Sequence, residues 1–331
     1  MQVTFSDAHA LATDVLIKHG VNAKHAAIVS DHLIDAAAAG HAFAGLPRVL
    51  AIVENLKQRP PAKPITVTAK SPNSAVVCGG GTNGYVTSLV GIDKAIELAV
   101  QSGVGIVGIT DTWFSGRLAY YVERAARQGF IAMHTANTMA RVAPSGGIDR
   151  IFGTNPIAFA FPADPDPLVV DFGTGMTTWG DVLLRQKLGK ALEPDVAVDL
   201  AGRPTVDPTE ALDGAFMPWG GHRGYGLSLV VQVLGILCGS ATIVEEVSDC
   251  GFFFLVFNPE LLMPLGQFRA SVTKLIDQIE ASRPADGISK VRVPGRSSAA
   301  KRREAENAGT IEVDEAIFEA LDRMRREHAE A

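Results

Sequence analysis

The chain has 331 residues, of which 47% are hydrophobic and 20% charged. That length allows one large or two modest domains with a full core, and the composition excludes a disordered chain. A formal net charge of -6 gives no general attraction to phosphate backbones or anionic membranes, so nucleic acid is not an expected partner.

The segment Met1 to Ala10 is polar and mixed, with no basic stretch followed by an apolar block. Ser6-Asp7, standing before Leu11, Val15 and Leu16, predicts an N-capped helix ending near Gly20. A second helix is expected from about Ala23 to Ala39, with His25 and His32 on exposed or half-buried faces, and a third over Arg48 to Lys57. The tract Arg59-Pro60-Pro61-Ala62-Lys63-Pro64 breaks helix and marks a linker or a change of layer. Beyond it, strands are expected at 74–78, 104–109, 130–135, 157–161, 168–171 and 252–257. Helices are expected at 85–102, 118–128, 224–238, 267–282 and 314–328. This alternation is an α/β pattern. The run Lys301-Arg302-Arg303-Glu304 reads as a solvated, mixed-charge surface.

Cys78, Cys238 and Cys250 form no CxxC, so neither a zinc knuckle nor a disulfide framework is indicated. They read as small apolar residues of a reducing interior. The longest apolar tract, Leu227 to Cys238, is too short to span a bilayer, and a soluble cytoplasmic protein without a membrane partner is expected. The eight histidines make no HExxH or other close ligand pair, so no metal site is expected. No GxSxG elbow and no Walker-type GK[ST] occurs.

Two stretches match GxGxxG. Gly103 to Gly108 lies inside an apolar strand that follows a helix, the wrong order for a phosphate loop. Gly79 to Gly84 follows a strand and opens a helix, and Asp111 ends the next strand roughly 20–30 residues on, where a ribose-binding acid stands in a Rossmann unit. Its alternative is a flexible strand-to-helix turn. Trp219 to Gly226 is glycine-rich and precedes a long apolar helix, so free N–H groups beside Arg223 would suit a phosphate or carboxylate. Gly173-Thr174-Gly175 after Asp171 would let a cofactor approach the backbone. His41 stands beside the loop that ends in Arg48, and an arginine there offers a planar fork of donors to a carboxylate.

Read together, these tracts resemble the type-2 malate/L-lactate dehydrogenase family along nearly the whole chain. Gly40, Gly45 and Arg48 fall on the matching places of its Gly-x-Asp-Ser-His-Gly-x-x-Arg signature. Gly153-Thr154-Asn155-Pro156-Ile157 is identical to a family motif, and Asn137-Thr138, Val142 to Gly147, Asp171 to Gly175, Asp199 to Pro208, Gly221 to Leu227 and Pro294-Gly295-Arg296 are similar to others. The resemblance implies an α/β, non-Rossmann, three-layer NAD(P)-binding fold with a mixed sheet and helical N- and C-terminal parts. It implies a division into 1–106, packing with 270–331, and a cofactor-binding part at 107–269. The matched cofactor contacts, for NAD or NADP, are Thr138, Thr154, Asn155, Asp171, Gly173, Thr174, His222, Arg223, Gly295, Arg296 and Ser297, and the Gly79–Gly84 loop would be structural. The family is dimeric, with the active site near the subunit boundary.

Two positions depart from the pattern. The family's proton-donating histidine falls on Ala44, with Phe43 in place of the preceding serine, and a second family histidine falls on Phe114. Neither alanine nor phenylalanine moves a proton, and a positioned acid is worth about 10²–10⁴-fold in ketone reduction. An iminium already carries its proton, so it needs only a carboxylate near the cation and an arginine on its own carboxylate. The expected function is therefore NAD(P)H-dependent reduction of a small 2-oxo or, preferably, cyclic 2-imino acid. Arg48, Ala44 and Phe114 would form the substrate site, and Asp111, Asp199 or His41 would supply electrostatics or a proton. The alternatives are a conventional 2-hydroxyacid dehydrogenase and a nucleotide-binding relative without redox chemistry. The basic residues Arg296, Lys301 and Arg302 would suit a 2′-phosphate, or simply a basic surface loop.

Overall fold

The computed structural model describes residues 1–327; His328, where the last expected helix ends, lies outside the described residues. A seven-stranded mixed sheet organises the chain. Its order is Thr66–Ser71, Ser74–Asn83, Val104–Trp113, Phe252–Phe257, Ile131–Ala136, Ile157–Phe161 and Leu168–Phe172. Ser74–Asn83 and Val104–Trp113 pair in parallel, joined by the helix Gly84–Ser102, and every other neighbour in the sheet is antiparallel. A Rossmann unit needs successive parallel strands. With one parallel pair the sheet has another plan, the mixed three-layer one that the motifs imply.

Glycines within one strand show the layers. A Cβ on Gly105 would strike the Ala95 carbonyl of the helix Gly84–Ser102, while one on Gly108 would meet Cys238 at 3.1 Å, next to the helix His222–Leu237. Residues three apart in a strand point to opposite faces, so these helices cover opposite sides of the sheet. Val77, Ile92, Ile109, Ala132 and Phe254 share one buried cluster. The sheet thus joins strands from both sides of residues 106 and 107.

A second cluster forms the helical part, where Leu11, Val15, Leu33, Ile52 and Val53 meet Trp113 and Leu321. Thr4, rather than the expected Ser6-Asp7, caps the first helix, Phe5–Lys18, by accepting from the Asp7 N–H at 3.1 Å. Gln2–Thr4 pairs antiparallel with Thr310–Glu312, which ties the two ends of the chain together. Among the described residues no helix is long and apolar enough to cross a membrane, and no group of three or more candidate ligand residues could hold a metal ion.

The Gly79–Gly84 tract is no phosphate loop. The strand simply continues through it with a bulge between Cys78 and Thr82, and Asn83 caps the following helix from within the core. A Cβ on Gly84 would lie 2.5 Å from the Phe114 carbonyl, so the glycine serves close packing.

Two histidines are buried, His32 against expectation. His32 is 1% exposed and accepts the Arg117 N–H on Nε2 at 2.9 Å. His134 stacks on Phe254 at a 3.8 Å centroid distance, and burial drives its pKa to about 3 even though its Nδ1 contact with the Phe253 carbonyl opposes the shift. The unfolded chain takes a proton on such a histidine near 6.5, the folded one only near 3. Over that interval the unfolded state binds more protons, so stability falls as the pH falls. Urea midpoints of His134→Gln are expected to decline less steeply than those of the wild type between pH 7 and pH 4. Parallel curves would remove His134 from the acid response.

Candidate active site

The two parallel strands end side by side, with Asn83 opposite Trp113. Tyr85 follows the first in the opening turn of its helix, and Phe114 follows the second with φ 57°. The carboxyl edge of parallel strands is where open α/β sheets leave room for ligands. A cavity of about 630 Å³ opens there, within the ~300–1,000 Å³ common for small-molecule and cofactor sites.

One end of the cavity is built around Arg48. The helix Ala23–Ala38 stops before Gly40 (φ 84°), and the side chain of Lys301 lies where a Cβ would stand. A 3₁₀ turn, Ala42–Ala44, leads to Gly45, which packs on Ala37, and the helix Pro47–Leu56 then presents Arg48. Arg48 Nε donates to the Tyr85 hydroxyl at 3.4 Å, and the guanidinium lies 4.4 Å from the centre of the Phe114 ring. Ala44, Phe114 and His41 line the same space. His41 Nε2 is 3.0 Å from Ser298 Oγ. Burial first, then the cations Arg117, Lys301 and Arg302, lower the His41 pKa, although Asp35 opposes them. That makes it a poor proton donor near neutrality.

Thr138, Thr154, Asp171, Gly173 and Gly295 line the same cavity. Asp171 Oδ2 accepts the Ala119 N–H at 2.8 Å, at the start of the helix Ala119–Arg127. Water reaches this carboxylate, yet it stands deep in the cleft with protein on most sides. The crowding raises its pKa, and the Ala119 N–H and Arg117 pull the other way. Gly295, left-handed at φ 79°, precedes the helix Arg296–Ala308, whose first turn has no side-chain cap and places Ser298 and Ala299 on the cavity.

Several expected site residues stand elsewhere. Asp111 is exposed, with Cys78 Sγ 3.7 Å from its carboxylate, and does not line the cavity. Asp199 does not line it either: its carboxylate closes its own turn by accepting the N–H groups of Ala201 and Arg203, each at 2.9 Å, and Arg203 Nε at 2.8 Å. Asn155 and Thr174 are fully buried braces rather than lining. Asn155 accepts the Thr138 N–H and donates to the Ser228 carbonyl and Gln232, while Thr174 Oγ1 donates to the Thr154 carbonyl. His222 and Arg223 are exposed at the start of their helix, off the cavity. Arg296 Nε is 3.8 Å from Glu280, and Ser297 is exposed beside the Ser298 that lines the cavity.

A half-buried ionic network in the wall escaped the sequence reading. Asp35 lies 2.5 Å from Arg117 Nη2 and 2.9 Å from Arg302 Nε, and Arg302 continues to Glu123 at 2.7 Å. Arg127 pairs with Glu123 at 2.5 Å, and Arg303 pairs with Asp166. Burial pushes the Glu123 pKa up, but Arg302 and Arg127 outweigh it and hold the group ionised. Arg302 is therefore a clamp between Asp35 and Glu123, not the solvated residue that its charge run implies. No local pattern distinguishes it from Lys301 or Arg303. Tyr85 was missed for another reason, because a tyrosine in an apolar helix turn reads as core.

The chain matches the family model described as malate/L-lactate dehydrogenase over residues 3–322. It is 31% identical to "ureidoglycolate dehydrogenase (NAD(+))" of Escherichia coli K12, over 97% of this chain and 95% of that one. It is 33% identical to "delta(1)-pyrroline-2-carboxylate reductase 1" of Burkholderia ambifaria, over 79% and 81% respectively. The solved sulfolactate dehydrogenase of Methanocaldococcus jannaschii superposes with a TM-score of 0.87 at 31% identity, covering 98% of this chain and 96% of that one. The chain belongs to the malate/L-lactate dehydrogenase family and is an oxidoreductase.

Proposed function

We propose that this member of the malate/L-lactate dehydrogenase family reduces a small 2-oxo or 2-imino acid with a reduced nicotinamide dinucleotide, and prefers the cyclic imino acid. The observation that carries the reading is the surroundings of Arg48. The family places its histidines at positions occupied here by Ala44 and Phe114, and both line the cavity beside the arginine. Among the described residues Arg48 forms no ion pair, so its donors remain for a substrate carboxylate. An imine that arrives protonated spares the enzyme the acid it lacks. Asp171, which shares the cavity and has one N–H partner, takes the electrostatic role expected of Asp111 or Asp199.

The dinucleotide fits the residues present. Thr138, Thr154, Asp171, Gly173 and Gly295 would hold it. A side chain on Gly173 would approach the Thr154 carbonyl at 3.3 Å, and one on Gly295 would meet the Val169 carbonyl at 2.8 Å. The uncapped turn after Gly295 leaves N–H groups suited to a phosphate. When bound, the coenzyme supplies hydride. Arg48 holds the carboxylate, Asn155 and Thr174 fix the Thr138–Thr154 wall, and the Asp35–Arg302–Glu123 network keeps the helix Arg296–Ala308 against the site. We assign NAD rather than NADP, because Arg302 is paired, Arg296 lies beside Glu280 and Lys301 packs on Gly40. Coenzyme oxidation followed by absorbance, with NADH and NADPH in parallel, tests both points. The substrates are pyruvate, oxaloacetate and Δ1-piperideine-2-carboxylate. The imine with NADH is expected to give at least about tenfold higher kcat/KM than either keto acid, a modest part of what an acid contributes. Coenzyme binding without turnover of any substrate would sink the reading in favour of a relative without redox activity.

We further propose a homodimer through the helix His222–Leu237. Leu229, Val230, Val233, Ile236 and Leu237 leave one face of it apolar and exposed. Light scattering after gel filtration is expected to give two chains for the wild type and one for Val233→Asp. A wild-type monomer would remove the assignment.

A further inference from the structure

We propose that the Tyr85 hydroxyl is the proton donor when this site reduces a 2-oxo acid, in place of the histidines that Ala44 and Phe114 replace. The inference rests on the functional reading above and names a residue that it left unassigned.

Position comes first. Tyr85 lines the cavity yet is only 2% exposed, so packing holds its ring in place. The His32 ring meets it edge-on at 4.8 Å. Gly116 leaves the remaining space, since a Cβ there would stand 2.6 Å from Tyr85 Cε1. The hydroxyl accepts from Arg48 Nε at 3.4 Å, and among the described residues nothing accepts its own hydrogen. A phenol already accepting from one side has its O–H free for a ligand.

Chemistry agrees with position. In a 2-oxo acid the keto carbon is bonded to the carboxyl carbon, so a carboxylate on Arg48 brings the keto oxygen next to whatever touches Arg48. Tyr85 does. As hydride reaches the keto carbon, that carbon is reduced and the C=O π pair moves onto oxygen. The Tyr85 O–H bond breaks, its proton goes to that oxygen, and the electron pair stays on the phenolate. Arg48 offsets the phenolate charge until solvent water returns a proton. The other ionisable groups on the cavity are less suited. His41 is bonded to Ser298 with its pKa lowered, Glu123 is held ionised by two arginines, and Asp166 is paired with Arg303. Asp171 spends Oδ2 on the Ala119 N–H and touches neither Tyr85 nor Arg48 by a hydrogen bond.

Tyr85→Phe removes only the hydroxyl and keeps the ring. With pyruvate and NADH, kcat is expected to fall about 10²-fold or more while KM changes less than about threefold. With Δ1-piperideine-2-carboxylate the loss is expected to be at least tenfold smaller, since that substrate brings its own proton. Calorimetric binding of oxamate to the coenzyme-free enzyme is expected to stay within about threefold of wild type, which separates proton donation from a packing defect. Unchanged pyruvate turnover in Tyr85→Phe overturns the donor role and leaves the oxidoreductase reading standing. So does equal loss with both substrates together with lost oxamate binding. A wild-type enzyme that binds oxamate yet reduces neither substrate overturns the functional reading and this inference with it.

Discussion

Arg48→Met is expected to lower kcat/KM for every 2-oxo and 2-imino acid by about 10²–10⁴-fold, and to weaken oxamate binding to the coenzyme-free enzyme by a similar factor. Each hydrogen bond to a charged group contributes about 1.5–3 kcal/mol, and a carboxylate seated on the fork makes two. Arg48 is suited to that task by its surroundings. The Phe114 ring at 4.4 Å supports the guanidinium face, and Tyr85 fixes one edge through Nε. The remaining nitrogens form no ion pair among the described residues. Arg48→Lys is expected to recover little, because an ammonium neither forms the fork nor stacks on the ring. Retained oxamate affinity in Arg48→Met would move the carboxylate site elsewhere, with Arg117 the first place to look. Arg117 also lines the cavity, but its Nη2 is committed to Asp35 at 2.5 Å.

The legibility of this chain follows the range of the interactions involved. Ile157–Phe161 and Phe252–Phe257 appear at their expected bounds, because a short apolar run in a buried strand is a local signal. Ser74–Asn83 runs five residues past the expected end at Cys78, through glycines that normally punctuate. There the decision is tertiary, since a Cβ on Gly79 would sit 2.5 Å from the Asp111 carbonyl across the parallel pair. The helices Trp179–Lys187 and Arg296–Ala308 were not anticipated. The second has a sequence with little apolar content, and it is held by Arg302 reaching Asp35 and Glu123, partners 267 and 179 residues away. Charge runs hide such residues.

The candidate site divides the same way. Of the residues that the motifs single out, Arg48, Ala44, Phe114, Thr138, Thr154, Asp171, Gly173 and Gly295 line the cavity. Motif membership does not separate lining from bracing. Asn155 and Thr174 belong to matched motifs but spend their polar atoms on holding the wall. Asp111 is a carboxylate at an expected strand end and Asp199 one within a motif, and their side chains serve contacts off the cavity. The wall itself carries three arginines, Arg48, Arg117 and Arg302, of which two are already neutralised by Asp35 and Glu123. That pairing leaves Arg48 as the cation able to select an acid. It also argues that the network's contribution is order rather than attraction, because its charges are matched within the wall.

Ala44→His is expected to raise pyruvate and oxaloacetate reduction by about 10–10²-fold, part of the range that a positioned acid supplies. The site is prepared for it. Ala44 is partly exposed on the cavity, in the 3₁₀ turn Ala42–Ala44, and its N–H bonds the His41 carbonyl at 2.9 Å. Gly45 behind it is wedged against Ala37 and the Leu33 carbonyl, at 3.0 and 3.2 Å for a Cβ, so the turn cannot retreat from a larger side chain. The new imidazole would therefore project into the open space beside Arg48. As an acid it acts while protonated, so the gain is expected to fade as the pH rises, and from below the ordinary histidine range, because Arg117 and Arg302, which lower the His41 pKa, line the same cavity. Imine reduction should change little, because that substrate arrives protonated. The gain should be largest in a Tyr85→Phe background, where the proposed native donor is gone, and the double variant is expected to recover most of the lost keto-acid turnover. A histidine at this position that leaves keto-acid reduction flat at every pH, in both backgrounds, would place the reacting oxygen away from Ala44. The carboxylate would then bind Arg48 in the opposite sense, with its reacting carbon toward Asp171.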